Sequence, residues 1–197
     1  MPDGHAAALV LASASPRRAE LLGRLGLRPE VVAAEVDERW HPSEPAEHYV
    51  ARVAAEKVGA VARARPDAVV IGADTAVILD GEPLGKPVDD DHARSMLRRL
   101  SGRTHIVLTA VAVARPGGGD APSVAEDEAV VTMAGLTDAV IEWYVATGEP
   151  RDKAGGYALQ GAGAVLVQRV EGDPTTVVGL PLRATALLLR AAGLTWP

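Results

Sequence analysis

At 197 residues and 48% apolar side chains, the chain can bury a sizeable core, as one α/β domain or two lobes around a shared sheet. A net charge of −6, no phenylalanine, three tryptophans and three tyrosines argue against nucleic-acid binding, which needs a positive surface and stacking platforms. The absence of cysteine excludes a disulfide framework, a thiolate nucleophile and cysteine-ligated zinc.

Residues 1–5 lack the basic region of a secretory signal, and no apolar run approaches the roughly 18 residues that span a bilayer, so the expectation is a cytoplasmic protein with no membrane partner. Ala8 to Ala12 reads as a buried strand that breaks into Ser13-Ala14-Ser15-Pro16-Arg17-Arg18 and then into a helix stopped at Gly26. Ser15 is placed to accept an orphan N–H as N-cap, and Pro16 suits the first helical position. Two hydroxyls, two guanidinium groups and free helical N–H groups then converge on one spot, which suits an anion, above all a phosphate. Taken alone, the junction reads equally well as a capped surface helix with two solvated arginines.

A second apolar run, Glu30 to Ala34, ends in the acidic cluster Glu35-Val36-Asp37-Glu38. After Pro42 and Pro45, helical spacing of Val50, Val53, Ala54, Val58 and Val61 predicts a helix from Ala46 to Ala64. Ala68 to Ile71 is a buried strand opening into Gly72-Ala73-Asp74-Thr75, with a hairpin turn at Asp80-Gly81. Leu84-Gly85-Lys86-Pro87 reads as loop, and Asp89-Asp90-Asp91 starts a helix ending near Gly102, its acidic first turn complementing the helix dipole. Strands are predicted at Thr104–Ala114 and Ala129–Ala134, with Arg115 to Ala125 as a flexible, glycine-rich connection. A helix from Thr137 to Gly148, a Gly-rich stretch from Arg151 to Gly163, a strand from Ala164 to Val170, a turn at Gly172-Asp173-Pro174 and a last helix from about Leu180 to Ala192, with Pro181 in its first turn, complete a single domain spanning 1–197.

Three side-chain patterns carry chemistry. Asp74 follows a buried strand, where α/β proteins place ligands, although an isolated Gly-x-Asp-Thr is more often an ordinary turn. With the acidic cluster it offers two strand-end carboxylate groups that suit a hard divalent cation such as Mg²⁺, held by one or two carboxylates plus phosphate oxygens and water. Seventeen arginines against three lysines, Lys57, Lys86 and Lys153, suggest that the lysines persist where a compact ammonium is needed. The five histidines, His5, His41, His48, His92 and His105, show no ligand spacing and read as surface or packed residues. No P-loop, dinucleotide fingerprint or Gly-x-Ser-x-Gly elbow is present.

The motifs Ser13-Ala14-Ser15-Pro16-Arg17-Arg18, Glu56-Lys57, Gly72-Ala73-Asp74-Thr75, Gly85-Lys86-Pro87, Leu100-Ser101-Gly102-Arg103-Thr104-His105, Asp152-Lys153-Ala154-Gly155 and Val178-Gly179-Leu180-Pro181-Leu182 occur in this order along nearly the whole chain. The set resembles the Maf family of nucleoside triphosphate pyrophosphatases. The resemblance implies an α/β fold like that of inosine triphosphate pyrophosphatases, with an elongated mixed sheet, flanking helices and two lobes around a central cleft. It implies hydrolysis of a nucleoside triphosphate to monophosphate and diphosphate with a divalent metal, Mg²⁺ or Mn²⁺, in a homodimer. By motif position, Asp74 falls on the catalytic aspartate, described as proton acceptor, and Glu38 on an acidic residue of the cleft; the two together are the residues expected to hold the metal. Ser13, Arg17, Arg18, Lys57 and Lys86 fall on phosphate-contacting positions. Arg17, Thr75 and Gln160 match the branch acting on dTTP, UTP and related pyrimidine nucleotides. Two segments depart from the family pattern, Gly172 to Val178 and Val131-Thr132-Met133-Ala134, both without the usual aromatic side chain. Two other readings stand beside this one: a nucleotide-binding regulator of cell division with little catalysis, and an ordinary phosphatase releasing orthophosphate.

Overall fold

The computed structural model describes residues 8–41, 43–117, 119 and 121–194. The N-terminal residues 1–5, His5 among them, Pro42, and residues 118 and 120 of the glycine-rich connection lie outside the described residues. In chain order the elements are β1 (Leu9–Ala12), α1 (Pro16–Arg24), β2 (Glu30–Val32), α2 (Ala46–Ala64), β3 (Val69–Leu79), β4 (Glu82–Leu84), α3 (Asp90–Leu100), β5 (Thr104–Ala114), β6 (Ser123–Met133), α4 (Asp138–Ala146), three 3-10 turns (Glu149–Asp152, Ala154–Gly156, Gly161–Leu166), β7 (Val167–Glu171), α5 (Pro174–Val178) and α6 (Leu182–Ala191). The strands form a mixed sheet in the order β2-β1-β3-β5-β6-β7, with β4 paired to β3. Among the described residues no helix is long and apolar enough to cross a membrane.

The chain divides into two compact units. The first comprises Met1–Asp74, Thr109–Asp127 and Gly179–Pro197. Its β1 is fully buried at Val10, Leu11 and Ala12 and pairs in parallel with β2 on one side and β3 on the other. Because the chain moves from β1 to β2 and then crosses back to β3, strand order reverses at β1, the kind of switch point where open α/β sheets bind ligands. Helix α1 ends as expected at Gly26, whose φ of 75° admits the Leu27 N–H to Leu22 O and Gly26 N–H to Gly23 O bonds of a Schellman cap. Helix α2 has the predicted limits and buries Val50, Val53, Ala54, Val58 and Val61 on one stripe, with Lys57 in that stripe. Where α2 meets β3, a Cβ on Gly72 would stand 2.9 Å from Val58 Cγ2 and 3.4 Å from Ala12 O, so only glycine admits this approach without displacement.

The second unit comprises Thr75–Leu108 and Glu128–Val178, with Leu97, Leu100, Met133, Ile141, Tyr144 and Leu166 fully buried in its core. Asp80 (φ 56°) and Gly81 (φ 81°) form a two-residue turn with both φ positive, which fixes Leu79 opposite Glu82 and so sets the β3–β4 register. Asp89 caps α3 by accepting the His92 N–H at 2.7 Å, and Thr137 caps α4 by accepting the Val140 N–H at 3.3 Å. Arg94–Glu142 and Arg98–Asp138 ion pairs link α3 to α4.

Several expected boundaries move. The second strand stops at Val32, so the acidic cluster lies in an irregular segment after the strand and not at its end. The third strand does not end before Gly72 but runs to Leu79, because sheet pairing and the close seat against α2 override the weak strand preference of glycine and aspartate. Strand β6 starts at Ser123, which leaves 115–122 as the connection; its first residues are mostly exposed and acidic, so they lack the apolar alternation that signals a strand. Residues 161–166 form a 3-10 turn, so the strand expected from Ala164 begins only at Val167; Gly161 has φ 75° and the Glu149 carboxylate holds the Ala162 and Gly163 amides in that turn. Pro174, expected to close the turn Gly172-Asp173-Pro174, starts the short helix α5, and Pro181 is the N-cap of α6, not a residue of its first turn.

Candidate active site

Ser13 sits where β1 gives way to α1, at the switch point, and is buried. Ser15 occupies the N-cap position in extended conformation with Pro16 after it, but its side chain makes no cap hydrogen bond. Ser13 does the holding instead: its Oγ accepts the Ser15 N–H at 3.2 Å and the Arg18 Nη1–H at 3.1 Å. The other arm of the same guanidinium donates from Nε to Gly179 O at 2.9 Å. One planar fork thus ties the first motif to the Val178-Gly179-Leu180-Pro181 motif, a geometry an ammonium does not reproduce. Burial draws the Arg18 pKa down, and the negative charges of Asp74 and Glu38 oppose that shift while neighbouring Arg17 adds to it. Arg18 therefore lies in the field of both carboxylates.

Asp74 is buried within β3. Extending the Leu11–Ile71 pairing by three residues puts Asp74 level with Ala14, beyond the last residue of β1. So although β3 itself continues, Asp74 stands at the carboxyl end of its neighbour. Strand alternation puts Asp74 on the face of Gly72, towards α2. There the buried Lys57 ammonium lies 2.8 Å from Asp74 Oδ1 and 3.0 Å from Glu38 Oε1. The Lys57 and Asp74 side chains are each 8% exposed and that of Glu38 45%, so the cluster runs from the interior to solvent.

What fixes Glu38 was not foreseen in the sequence. Tyr49 and Arg52, on α2, reach back to the irregular segment. Tyr49 OH donates to Glu38 O at 2.9 Å, and Arg52 makes two bonds to the Glu44 carboxylate, at 2.8 and 2.9 Å, plus one to Arg39 O at 3.1 Å. Trp40 Nε1 donates to Glu44 O at 2.9 Å, and the Arg52 guanidinium sits 5.8 Å from the Tyr49 ring centre. Burial and the nearby Asp74 and Glu38 charges push the Tyr49 pKa up to about 12, so the phenol stays a donor. The i, i+3 spacing of Tyr49 and Arg52 beside a polar, tryptophan-containing segment was the available signal. Asp37, part of the expected acidic cluster, is engaged by Arg39 through three guanidinium bonds, which hold its carboxyl well below the usual range.

The remaining candidates belong to the second unit and are described within it. Lys86 is exposed on the loop after β4, whose Gly85 O accepts the Gly155 N–H at 3.0 Å. Thr75 is half-buried in β3, and Gln160 is half-buried as N-cap of the third 3-10 turn. That turn is organised by Glu149, whose carboxylate accepts from Tyr144 OH, Ala162 N and Gly163 N at 2.9–3.0 Å. Lys153 bonds Asp152 and, at 3.2 Å, Glu149 O, so it braces its own turn. The three lysines thus differ: one in a buried carboxylate pair, one exposed, one structural. His105 is packed, as expected, with Nε2 2.7 Å from Tyr157 OH.

The donor set discriminates among metals. Among the described residues no group of three His, Cys, Asp or Glu side chains is placed to hold an ion. Asp74 and Glu38 offer two hard carboxylates converging on one cation position, now taken by the Lys57 ammonium. A Mg²⁺-like ion that draws its other ligands from phosphate and water fits this set, and an all-protein zinc site does not.

The family model described as Maf-like protein matches residues 8–192. The chain is 57% identical over 192 residues to a dTTP/UTP pyrophosphatase from Anaeromyxobacter dehalogenans (strain 2CP-C), covering 96% of each, and 52% identical over 189 residues to one from Myxococcus xanthus, covering 96% of this chain and 94% of that protein. Among solved structures, a HAM1 protein from Coxiella burnetii aligns with a TM-score of 0.52 at 15% identity, over 95% of this chain and 97% of that one. At that identity the likeness speaks for the fold alone.

Proposed function

The chain belongs to the Maf family, and on that premise we propose that it hydrolyses dTTP and UTP, with related pyrimidine nucleotides, to the monophosphate and diphosphate. The observation that carries the reading is the buried Asp74 carboxylate, paired with Lys57 and standing level with the end of β1, in the same unit as Ser13 and Arg18. A pure binding site for a polyanion has little need of a buried carboxylate at its centre. A water-activating site does.

In this mechanism Asp74 orients a water and takes its proton as the water oxygen attacks the α-phosphorus; the α–β anhydride bond breaks and diphosphate leaves. Attack at the γ-phosphorus would release orthophosphate instead. Arg17, Arg18, Lys57 and the Ser13 hydroxyl bind the phosphate oxygens and offset the charge that grows on them, the main contribution in phosphoryl transfer. Asp74 and Glu38 would hold the divalent cation, which when bound supplies further charge neutralisation at the phosphates. Lys86 as a phosphate contact, and Arg17, Thr75 and Gln160 as base-reading residues, belong to the proposal on the strength of their motifs, as do a homodimer and a cytoplasmic setting.

The test is product analysis by phosphorus NMR across dTTP, UTP, CTP and GTP with Mg²⁺, for the wild type and Asp74→Asn. Diphosphate from dTTP and UTP, lost in a folded Asp74→Asn that still binds nucleotide, is the expected result. Near-normal turnover by Asp74→Asn, or orthophosphate as product, refutes the assignment.

A further inference from the structure

The cluster that defines the site already contains a cation. Lys57 Nζ bonds both Asp74 Oδ1 (2.8 Å) and Glu38 Oε1 (3.0 Å), so it occupies the position from which one ion would bridge the two carboxylates. Arg18 adds a second positive charge in the field of the same pair. Two carboxylates and two cations cancel. A free divalent cation entering this cluster gains little attraction and must first displace a buried ammonium, which is costly to strand without a partner. An incoming triphosphate changes the balance, because it brings an excess of negative charge and new acceptors for the ammonium.

We propose that Lys57 is the resident counter-ion of the Asp74–Glu38 pair: it excludes a free divalent cation and releases the carboxylates only when a triphosphate arrives to accept its ammonium. The metal then enters with the nucleotide and not before it. Lys57 serves in turn as place-holder and as phosphate ligand, and Glu38, the more exposed carboxylate, is the one freed with least rearrangement. The proposal rests on the reading that Asp74 and Glu38 hold the metal together with substrate.

The experiment titrates Mn²⁺ alone into the full chain and follows free Mn²⁺ by electron paramagnetic resonance, with no turnover involved. The wild type should bind weakly and Lys57→Met about tenfold more tightly or better, the effect of removing one charge-assisted competitor. Glu38→Gln in the Lys57→Met background should abolish the gain. A parallel titration with an α,β-methylene analogue of dTTP, which resists cleavage at the proposed bond, should show tight Mn²⁺ binding by the wild type, lost in Asp74→Asn or Glu38→Gln. If the wild type alone binds Mn²⁺ as tightly as Lys57→Met, the counter-ion proposal is wrong while the metal reading stands. If Mn²⁺ in the analogue complex ignores both carboxylate variants, the metal reading itself fails. Circular dichroism checks folding, and Lys57→Gln, which keeps a polar head for the carboxylates, replaces Lys57→Met should the latter not fold.

Discussion

Gly72→Ala tests how the fold places the site. The new Cβ would lie 2.9 Å from Val58 Cγ2, 3.4 Å from Ala12 O and 3.5 Å from Ala12 Cβ, so it is pressed between α2 and β1. Ordinary van der Waals contact begins near 3.4 Å, and about half an ångström must therefore be found. Val58 is fully buried and, as a β-branched helical residue, has one strongly preferred rotamer, so a side-chain swing is a poor escape. Helix α2 has to move, and Lys57, next to Val58, moves with it. Overpacking of this kind costs about 1–3 kcal/mol, and the entropy that alanine removes from the unfolded chain returns roughly 0.4–1 kcal/mol. The steric cost wins, leaving a net destabilisation of about 1–2 kcal/mol, or a Tm lowered by roughly 2–8 °C in a chain of this size. Displacing the Lys57 ammonium from Asp74 should also lower kcat by about tenfold, since a misplacement of about 1 Å can cost roughly a hundredfold. The assay is thermal unfolding with steady-state diphosphate release for Gly72→Ala, Val58→Ala and the double variant. Val58→Ala makes room, so the double variant should regain part of both losses, with a coupling of about 1 kcal/mol. Wild-type Tm and turnover for Gly72→Ala, or strictly additive effects, would refute the reasoning.

Arg18→Lys should fail as a conservative change, because an ammonium cannot bond Ser13 Oγ and Gly179 O in the fork that the guanidinium spans. The expected loss in kcat/KM is roughly 10- to 150-fold, one charge-assisted hydrogen bond or somewhat more. Full activity in Arg18→Lys would count against that fork. His105 gives a pH dependence of stability. Burial lowers its pKa to about 4 from 6.5, so the unfolded chain binds the proton first as pH falls. Its contribution is intact above pH 6.5 and is lost progressively between 6.5 and 4, amounting to about 3 kcal/mol. Urea unfolding between pH 7 and 5 should show this slope in the wild type and a flatter one in His105→Gln; equal slopes would contradict it.

The sequence carried some parts of this fold and site more clearly than others. Helix α2 was legible to its limits because the 3.6-residue spacing of Val50, Val53, Ala54, Val58 and Val61 has no competing period, and the Asp80-Gly81 turn because its two positive φ values demand those residue types. Asp74 was legible as a site residue but not as a mid-strand one. Its position beyond β1 depends on a pairing register that no local pattern encodes. The acidic half of β6 and the last 3-10 turn were missed for a related reason: exposed strands lack apolar alternation, and that turn is held by a single distant carboxylate, Glu149. Tyr49 and Arg52 belong to the same class, since their partners Glu38 and Glu44 lie 11 and 8 residues back in an irregular segment.

The central claim, that water attacks the α-phosphorus under the direction of Asp74, is tested most directly by turnover of dTTP in ¹⁸O-labelled water. Phosphorus NMR resolves the labelled product by its isotope shift. One ¹⁸O in the nucleoside monophosphate and none in the diphosphate is the predicted result. Label in diphosphate, or in released orthophosphate, would contradict it.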